Sequence, residues 1–469
     1  MQLFFLFLLL IAMRVLLYLS PIKIRMQEKI NIIGGGLSGS LLAIYLAKRG
    51  YKIDLFERRP DMRKNKISAG KSINLALSIR GLLALKNIGL DEEIMKDAIQ
   101  MPGRMMHSKT GELNFQPYGK NGQSINSVSR GRLNIKLLEL ADEFENIALH
   151  FNARCVDVNI DEGISVFEME DGSHKHVYSD RILGTDGAFA ATRGRLQITD
   201  RFNYSQQYLH VGYKELCIPA DKTGKFLMEK NALHIWPRGA FMMIALPNPS
   251  GDFTCTLFMP FDGEKSFNAL QSKAEVKNFF DTEFSDAVEL MPTLMDDFFT
   301  NPTSSLVTVK CFPWIKDDKI ALLGDAAHAI VPFFGQGMNC SFEDVMVFDE
   351  CVEKHYPNWK LIFENYQTLR KPNSDAIADL AIQNYYEMSD KVGDKKFLHK
   401  KNIEHTLSEL YPDKFKSQYE LVTFSCLPYS YAMEQGKKNE LLLEKIISAG
   451  DEDKISQPEF MEKLWNIIA

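Results

Sequence analysis

The stretch Lys29-Ile30-Asn31-Ile32-Ile33-Gly34-Gly35-Gly36-Leu37-Ser38-Gly39 decides the fold. Lys29 to Ile33 reads as a buried strand, Ser38 to Lys48 as a helix ended by Gly50, and Tyr51 to Glu57 as a second strand. Between the first strand and the helix lies Gly-x-Gly-x-x-Gly. Gly34 can make the tight turn, Gly36 can let a pyrophosphate approach the backbone, and Gly39 can let the helix pack on the strand. Free amides at the helix start meet phosphate charge. Glu57 closes the second strand about twenty residues on, where a carboxylate accepts hydrogen bonds from a ribose. The glycine pattern alone is weak; set in strand, turn, helix, strand and acid it specifies a dinucleotide site. It leaves NAD and FAD both open.

A second signature far downstream decides between them. Lys319 to Leu323 reads as another strand, delivering Gly324-Asp325, and Pro332-Phe333-Phe334-Gly335-Gln336-Gly337-Met338-Asn339 then leads into a helix from about Gln336 to Lys354. FAD is long enough to need a second contact, which NAD does not. Asp325 is placed to accept hydrogen bonds from ribityl hydroxyls. The helix start at Gly337 offers amides and a positive dipole end where reduced flavin gathers negative charge. An N-cap role for Asp325 would be the better reading only if it stood alone. Asp186-Gly187 forms a third element of the same kind. His328 reads as structural rather than catalytic.

The remaining pattern fits around this frame. Runs at Leu149 to Ile160 and Ile164 to Met169 suggest antiparallel strands, and Tyr208 to Pro260 reads as a sheet broken by Pro237-Arg238-Gly239 and Pro247-Asn248-Pro249. From Pro357 the pattern is helical and charged. The expected architecture is α/β: a Rossmann-like FAD-binding domain, an inserted mixed or antiparallel substrate sheet, and a C-terminal helical region. The expected boundaries are 1–25 for an apolar N-terminal segment, 26–100, 125–200 and 305–356 for the FAD-binding domain, 101–124 and 201–304 for the substrate sheet, and 357–469 for the helices.

Composition narrows the function. The 469 residues carry 55 basic and 61 acidic side chains, a net charge of −6, which argues against a nucleic-acid partner. With 45% hydrophobic and 25% charged residues the chain is globular, not disordered. The seven cysteines are scattered without a C-x-x-C, which argues against a disulfide framework and a zinc site and fits a reducing compartment. No metal is expected.

Three elements in this order resemble the single-component FAD-dependent aromatic hydroxylases. The closest likeness is to the kynurenine-hydroxylating branch, through Lys71 to Ser78, Arg104 to Ser108, Phe202 to Tyr208, Leu233 to Arg238, Phe241 to Asn248, Cys255 to Phe261 and Gly324 to Asn339. The likeness runs from about residue 28 to about residue 425. It implies FAD as cofactor and NADPH and molecular oxygen as co-substrates. The small-molecule substrate would be L-kynurenine, hydroxylated at ring position 3 through a flavin 4a-hydroperoxide, with no catalytic side chain required. It implies Arg104, Tyr118, Asn384 and Tyr419 as ligands of the substrate's amino-acid end. A guanidinium suits an α-carboxylate through two parallel charge-assisted hydrogen bonds. For flavin it points to Ser38, Phe56 to Arg59 (with Glu57 and Arg58), Ala76, Arg130, Cys155, Asp325, Met338 and Asn339, with Arg130 as counter-charge to the pyrophosphate. Phe241, Phe258 and Phe333 are candidates for an apolar wall around the ring, and core packing explains them almost as well.

Two departures bear on location. The C-terminal membrane anchor of eukaryotic members is absent, which points to a bacterial-type soluble form. Met1 to Leu19 is strongly apolar and foreign to the family pattern, near the lower length for a membrane span. Either it is an N-terminal anchor, or Met26 is the true start, the preferred reading. The expected location is cytoplasmic, with residues 1–19 as the one means of membrane association. Competing readings are a related hydroxylase of another phenolic or amino-aromatic substrate, a non-catalytic binding protein on the same fold, and a membrane-bound quinone reductase.

Overall fold

The computed structural model describes residues 28–64, 74–119, 122–391 and 395–468. The apolar segment read at 1–19, the start at Met26 and the Lys71 to Ile73 part of the resemblance lie outside them. No helix among the described residues is long and apolar enough to cross a membrane.

The first strand, Lys29–Ile33, is buried along four of its five residues and lies inside a six-stranded sheet. It pairs in parallel with Lys52–Phe56 on one side and Arg181–Gly184 on the other. Ile147–His150 and Ile320–Leu322 extend the sheet outward in parallel, and Ile315–Lys316 closes one edge antiparallel. Helix Leu37–Lys48 buries nine consecutive residues from Gly39 to Ala47, because it is covered both by the sheet and by other helices. The fold thereby brings the ends of Lys29–Ile33, Arg181–Gly184 and Ile320–Leu322, with the three turns that follow them, to one edge of the sheet. In open parallel sheets that edge is where ligands bind.

The run expected as one strand from Leu149 to Ile160 is two. Asn152 adopts a left-handed backbone (φ 54°), so Ile147–His150 ends the parallel sheet and Ala153–Asn159 begins a separate three-stranded meander.

A seven-stranded sheet is built mainly from antiparallel strands between Asn203 and Phe312. Gly103–His107 and Leu113–Pro117 complete it, the former pairing in parallel with Leu233–Pro237. Its two faces serve different cores. One packs on helices Lys273–Glu283, Ser285–Val288 and Leu294–Thr300 through Trp236, Met243, Leu257 and Phe280. The other packs on the turn at Val331–Phe334 and on the C-terminal helices through Met242, Phe258, Ile377 and Val422. Five α-helices of six residues or more follow Tyr356 among the described residues, the longest being Trp359–Tyr386.

Candidate active site

A cavity of about 800 Å³ lies between the two large sheets. At one end are the glycine turns. Gly34 adopts φ +110°, and a Cβ there would fall 2.4 Å from the Thr185 carbonyl oxygen. Gly39 is off the cavity wall; its Cβ would fall 1.9 Å from the Gly34 oxygen, so it is the helix-to-strand contact that requires glycine. A Cβ on Gly36 would meet nothing within 4 Å, and Gly36 lines the cavity. Helix Leu37–Lys48 has no side-chain cap, so its first amides, beside Ser38, are open toward that space. This end is shaped for a phosphate-bearing ligand.

Phe56, Glu57, Arg58 and Arg59 line the same end. Glu57 Oε1 accepts from the backbone amide and the guanidinium of Arg59, at 3.0 and 2.7 Å, which holds the carboxylate in place and leaves its second oxygen over Gly35. Arg130, the first residue of helix Arg130–Asp142, stands exposed on the cavity rim with no ion-pair partner among the described residues. Cys155 also lines the cavity; burial first, then Asp186, pushes its thiol up to about 12, so it stays protonated.

Asp186 and Asp325 face the cavity from adjacent strand ends. Asp186 is occupied by the protein: its carboxylate accepts from the amide of Thr192, at 3.1 Å, and from the Thr192 hydroxyl, fixing helix Ala191–Gln197. Asp325 is the first residue of its short helix, and Gly324, not Asp325, is the cap. No group among the described residues hydrogen-bonds the Asp325 carboxylate. Burial raises its pKa, opposed by Arg130 and His328. A carboxylate held in a desolvated wall without a partner is an acceptor waiting for ligand hydroxyls. With the open cradle at Gly36 and the unpaired cation of Arg130, these residues fit FAD.

Ala76, Gly337 and Met338 line the cavity beyond Asp325. Asn339 does not. Its amide donates to the carbonyls of Ala76 (2.8 Å) and Gly335 (2.9 Å), and its oxygen accepts from the Ser78 amide (2.9 Å). It braces the wall from behind.

At the far end Arg104, Tyr118 and Tyr419 converge. The Tyr118 and Tyr419 rings stack with centroids 5.1 Å apart, and the Arg104 guanidinium carbon lies 5.1 and 4.9 Å from their centres. Arg104 Nε and the Tyr118 hydroxyl are buried without a hydrogen-bond partner. Burial opposes the charge on Arg104, but the oxygens of Tyr118 and Tyr419 outweigh it, so the cation persists. Burial raises both phenols, well above the ordinary tyrosine range in Tyr118, so each remains a donor. A half-buried cation with a buried, unspent Nε donor, flanked by two phenol donors, is a seat for a carboxylate.

The wall between the two ends is apolar, with Phe258 and Phe333 among its residues, their rings 4.9 Å apart. Met242, Ile244, Leu246, Phe334 and Met388 also line it and were not singled out in the sequence. Phe241 does not belong to this wall: it packs against Phe279 and Phe284 in the core on the other face of the sheet. Asn384 lies behind Phe333, donating to its carbonyl at 2.6 Å, and lines a second cavity of about 600 Å³. That cavity shares Arg104, Tyr118 and Tyr419 with the first.

Comparison with known proteins agrees with this geometry. Residues 27–377 match the family described as FAD binding domain. The chain is 47% identical over 442 residues to a kynurenine 3-monooxygenase of Flavobacterium johnsoniae, covering 94% of this chain and 98% of the relative. It is 48% identical over 412 residues to that of Myxococcus xanthus (87% and 89% covered) and 44% identical over 409 residues to that of Sus scrofa (87% and 86%). Among solved structures, the tetrameric form of 2-methyl-3-hydroxypyridine-5-carboxylic acid oxygenase superposes with a TM-score of 0.64 at 19% identity, covering 79% of this chain and 95% of that one. That likeness concerns the fold.

Proposed function

The chain belongs to the kynurenine 3-monooxygenase family of FAD-binding proteins, and from that membership we propose that it hydroxylates L-kynurenine at ring position 3, using FAD, NADPH and molecular oxygen. The observation that carries the substrate is the unpartnered Arg104 Nε and Tyr118 hydroxyl, buried at the end of an apolar cavity whose other end is built for a dinucleotide. Kynurenine is a zwitterionic amino-acid head, bearing an α-carboxylate, on an aniline ring, and the carboxylate and the ring suit the two parts of that cavity.

The glycine turn after Lys29–Ile33, Arg130, Asp325 and the helix start at Gly337 would hold FAD, which with NADPH as reductant would supply dioxygen activated as an electrophile. The protein's own residues do the rest. Arg104 pairs with the α-carboxylate, and Tyr118 and Tyr419 donate to it. Asn384 orients the Phe333 carbonyl and closes the amino-acid end. Phe258, Phe333 and Ile244 hold the ring and keep water out, which protects the activated oxygen from wasteful breakdown. The aniline nitrogen pushes electron density to its ortho carbon, so no protein nucleophile takes part.

The test is incubation of the purified protein with kynurenine, NADPH and oxygen, followed by identification of the product by mass and ring position. 3-Hydroxykynurenine supports the reading; turnover of phenolic acids but not kynurenine would replace it with a sister hydroxylase. We place the protein in the cytoplasm, a reading supported by seven scattered cysteines without a C-x-x-C, which suit a reducing compartment. Residues 1–19 are the segment through which any membrane contact would run, and cell fractionation tests both.

A further inference from the structure

Behind the cavity lies a chain of buried charges that the reaction does not use. It begins at the Gly324–Asp325 turn, where the Gly324 amide donates to Asp344 Oδ2 at 3.0 Å. Asp344 also takes hydrogen bonds from His328 (2.5 Å) and from Arg370 Nε (2.6 Å). Arg370 reaches on to Glu343 Oε2 at 2.5 Å, and Arg80 takes the other oxygen of Glu343. All of these side chains are buried, Arg80 and Asp344 completely.

Arg80 is where the chain changes partner. Its guanidinium lies 3.9 Å from the ring centre of Tyr429 and donates to two backbone carbonyls, Val422 (Nε, 3.3 Å) and Leu427. Tyr429 in turn donates to Gln336, in the turn between Phe334 and the helix Gly337–His355, at 2.9 Å. Val422 belongs to the short helix Gln418–Thr423, and that helix carries Tyr419. Local sequence makes the approach possible: a Cβ at Gly81 would fall 2.5 Å from Asn339 Oδ1, so glycine lets the helix Ile79–Lys86 press against Gly337–His355 and deliver Arg80 to Glu343.

Even paired with Glu343, a fully buried arginine carries a desolvation cost that an apolar residue packing the same position would avoid. What the arginine adds is reach: one rigid fork bonds a carboxylate anchored to the flavin-side turn and two carbonyls of the segment that presents Tyr419. We infer that Arg80 is a positioning residue for the substrate-carboxylate seat, fixing Tyr419 through the Val422 and Leu427 carbonyls and tying it, by way of Glu343, Arg370 and Asp344, to the Gly324–Asp325 turn. The inference rests on the kynurenine reading for the ligand that reports it.

The experiment is a double-mutant cycle on the full-length flavin-loaded protein, read by calorimetric binding of kynurenine in the absence of NADPH. Arg80→Lys keeps a cation for Glu343 but loses the fork. It should weaken kynurenine about tenfold, with flavin content and NADPH oxidation without substrate unchanged, and should raise the hydrogen peroxide released per NADPH. In a Tyr419→Phe background the same substitution should change binding less than twofold, because its target is already gone. An unchanged dissociation constant for Arg80→Lys, or a full tenfold effect persisting in Tyr419→Phe, overturns the proposal. Should Arg80→Lys fold poorly, Tyr429→Leu removes the surface on which the guanidinium lies. It should give the same pattern at smaller amplitude, and a lack of effect there counts equally against the role. If the parent protein itself binds no kynurenine, it is the functional reading that fails.

Discussion

Replacing Arg104 by alanine separates the two tasks of a half-buried cation. In the free protein its Nε has no hydrogen-bond partner among the described residues, and the rings and oxygens of Tyr118 and Tyr419 support its charge, at 5.1 and 4.9 Å to the ring centres. Such a group contributes little to folding and carries a desolvation cost. Toward a carboxylate it makes charge-assisted hydrogen bonds, each worth about 1.5–3 kcal/mol. Two of them, less what water returns to the alanine site, amount to about 3–4 kcal/mol, or roughly 10²–10³-fold in affinity. The expected result is a kynurenine dissociation constant weakened by that factor, measured calorimetrically, with flavin content unaltered and a melting temperature equal to or above the parent's. A second ligand sharpens the test. An analogue of kynurenine lacking the α-carboxylate should bind parent and variant within about threefold of each other. If the variant binds kynurenine as well as the parent does, or discriminates against the analogue equally, the carboxylate is seated elsewhere and the reasoning fails.

Three further outcomes follow from the geometry. Asp325→Ala removes the unpartnered acceptor of the cavity wall, so the protein should purify largely colourless, read as the ratio of flavin to protein absorbance; full occupancy would exclude Asp325 from the site. Gly39→Ala forces a Cβ to 1.9 Å from the Gly34 oxygen, an overlap the backbone relieves only by moving the strand. It should cost about 3 kcal/mol or more and appear as lost soluble yield and a lower melting temperature. Burial, in the first place, lowers the His234 pKa to about 4, while its ordinary value is 6.5. A proton therefore binds the unfolded chain more readily than the folded one between those values. The stability from neutral His234 is complete above pH 6.5 and is lost as pH falls toward 4, by about 3 kcal/mol in all. Melting temperatures across that window should fall in the parent and fall less in His234→Asn.

The frame of the site was legible because its constraints are local. From Lys29 to Phe56 the strand, turn, helix and strand are patterned within the same thirty positions, and glycine is demanded at position 39 by the Gly34 oxygen five residues back, although at position 34 it is demanded by the distant Thr185 carbonyl. The cavity wall was only half legible, since alternation reports that a strand has two faces but not which face a distant element covers. Met242, Ile244 and Leu246 face the cavity, whereas Met243 and Ala245 face the core under the helices Lys273–Thr300, and Phe241 goes with the latter set. A shift of one residue exchanges the two assignments, and the sequence of the strand alone is indifferent to it. The helix Lys273–Glu283 did carry a signal, the Ser272-to-Glu275 capping box, inside a region read as sheet. The charge relay carried none. Arg80 and Glu343 are 263 positions apart, and nothing local distinguishes them from any other arginine and glutamate.

That asymmetry bears on how the site came to be divided between parts of the chain. The flavin end is specified by turns that each carry their own sequence signature, so it can be read piece by piece even though Gly34 packs against Thr185 of the next turn. The carboxylate end takes Arg104 from a strand, Tyr118 from the residue after its neighbour strand, and Tyr419 from a helix more than three hundred positions later, none of which fixes the others locally. A seat assembled from such distant pieces needs something besides its ligand to hold its spacing, because hydrogen bonds lengthened by even half an ångström lose much of their strength. Stacking of Tyr118 on Tyr419 supplies one constraint, and the Arg80 fork on the Val422 and Leu427 carbonyls supplies a second. Without the second, Tyr419 could slide along the face of Tyr118 with little change in stacking energy, and the donors would no longer meet a carboxylate together. The buried arginine is therefore best understood by what it prevents.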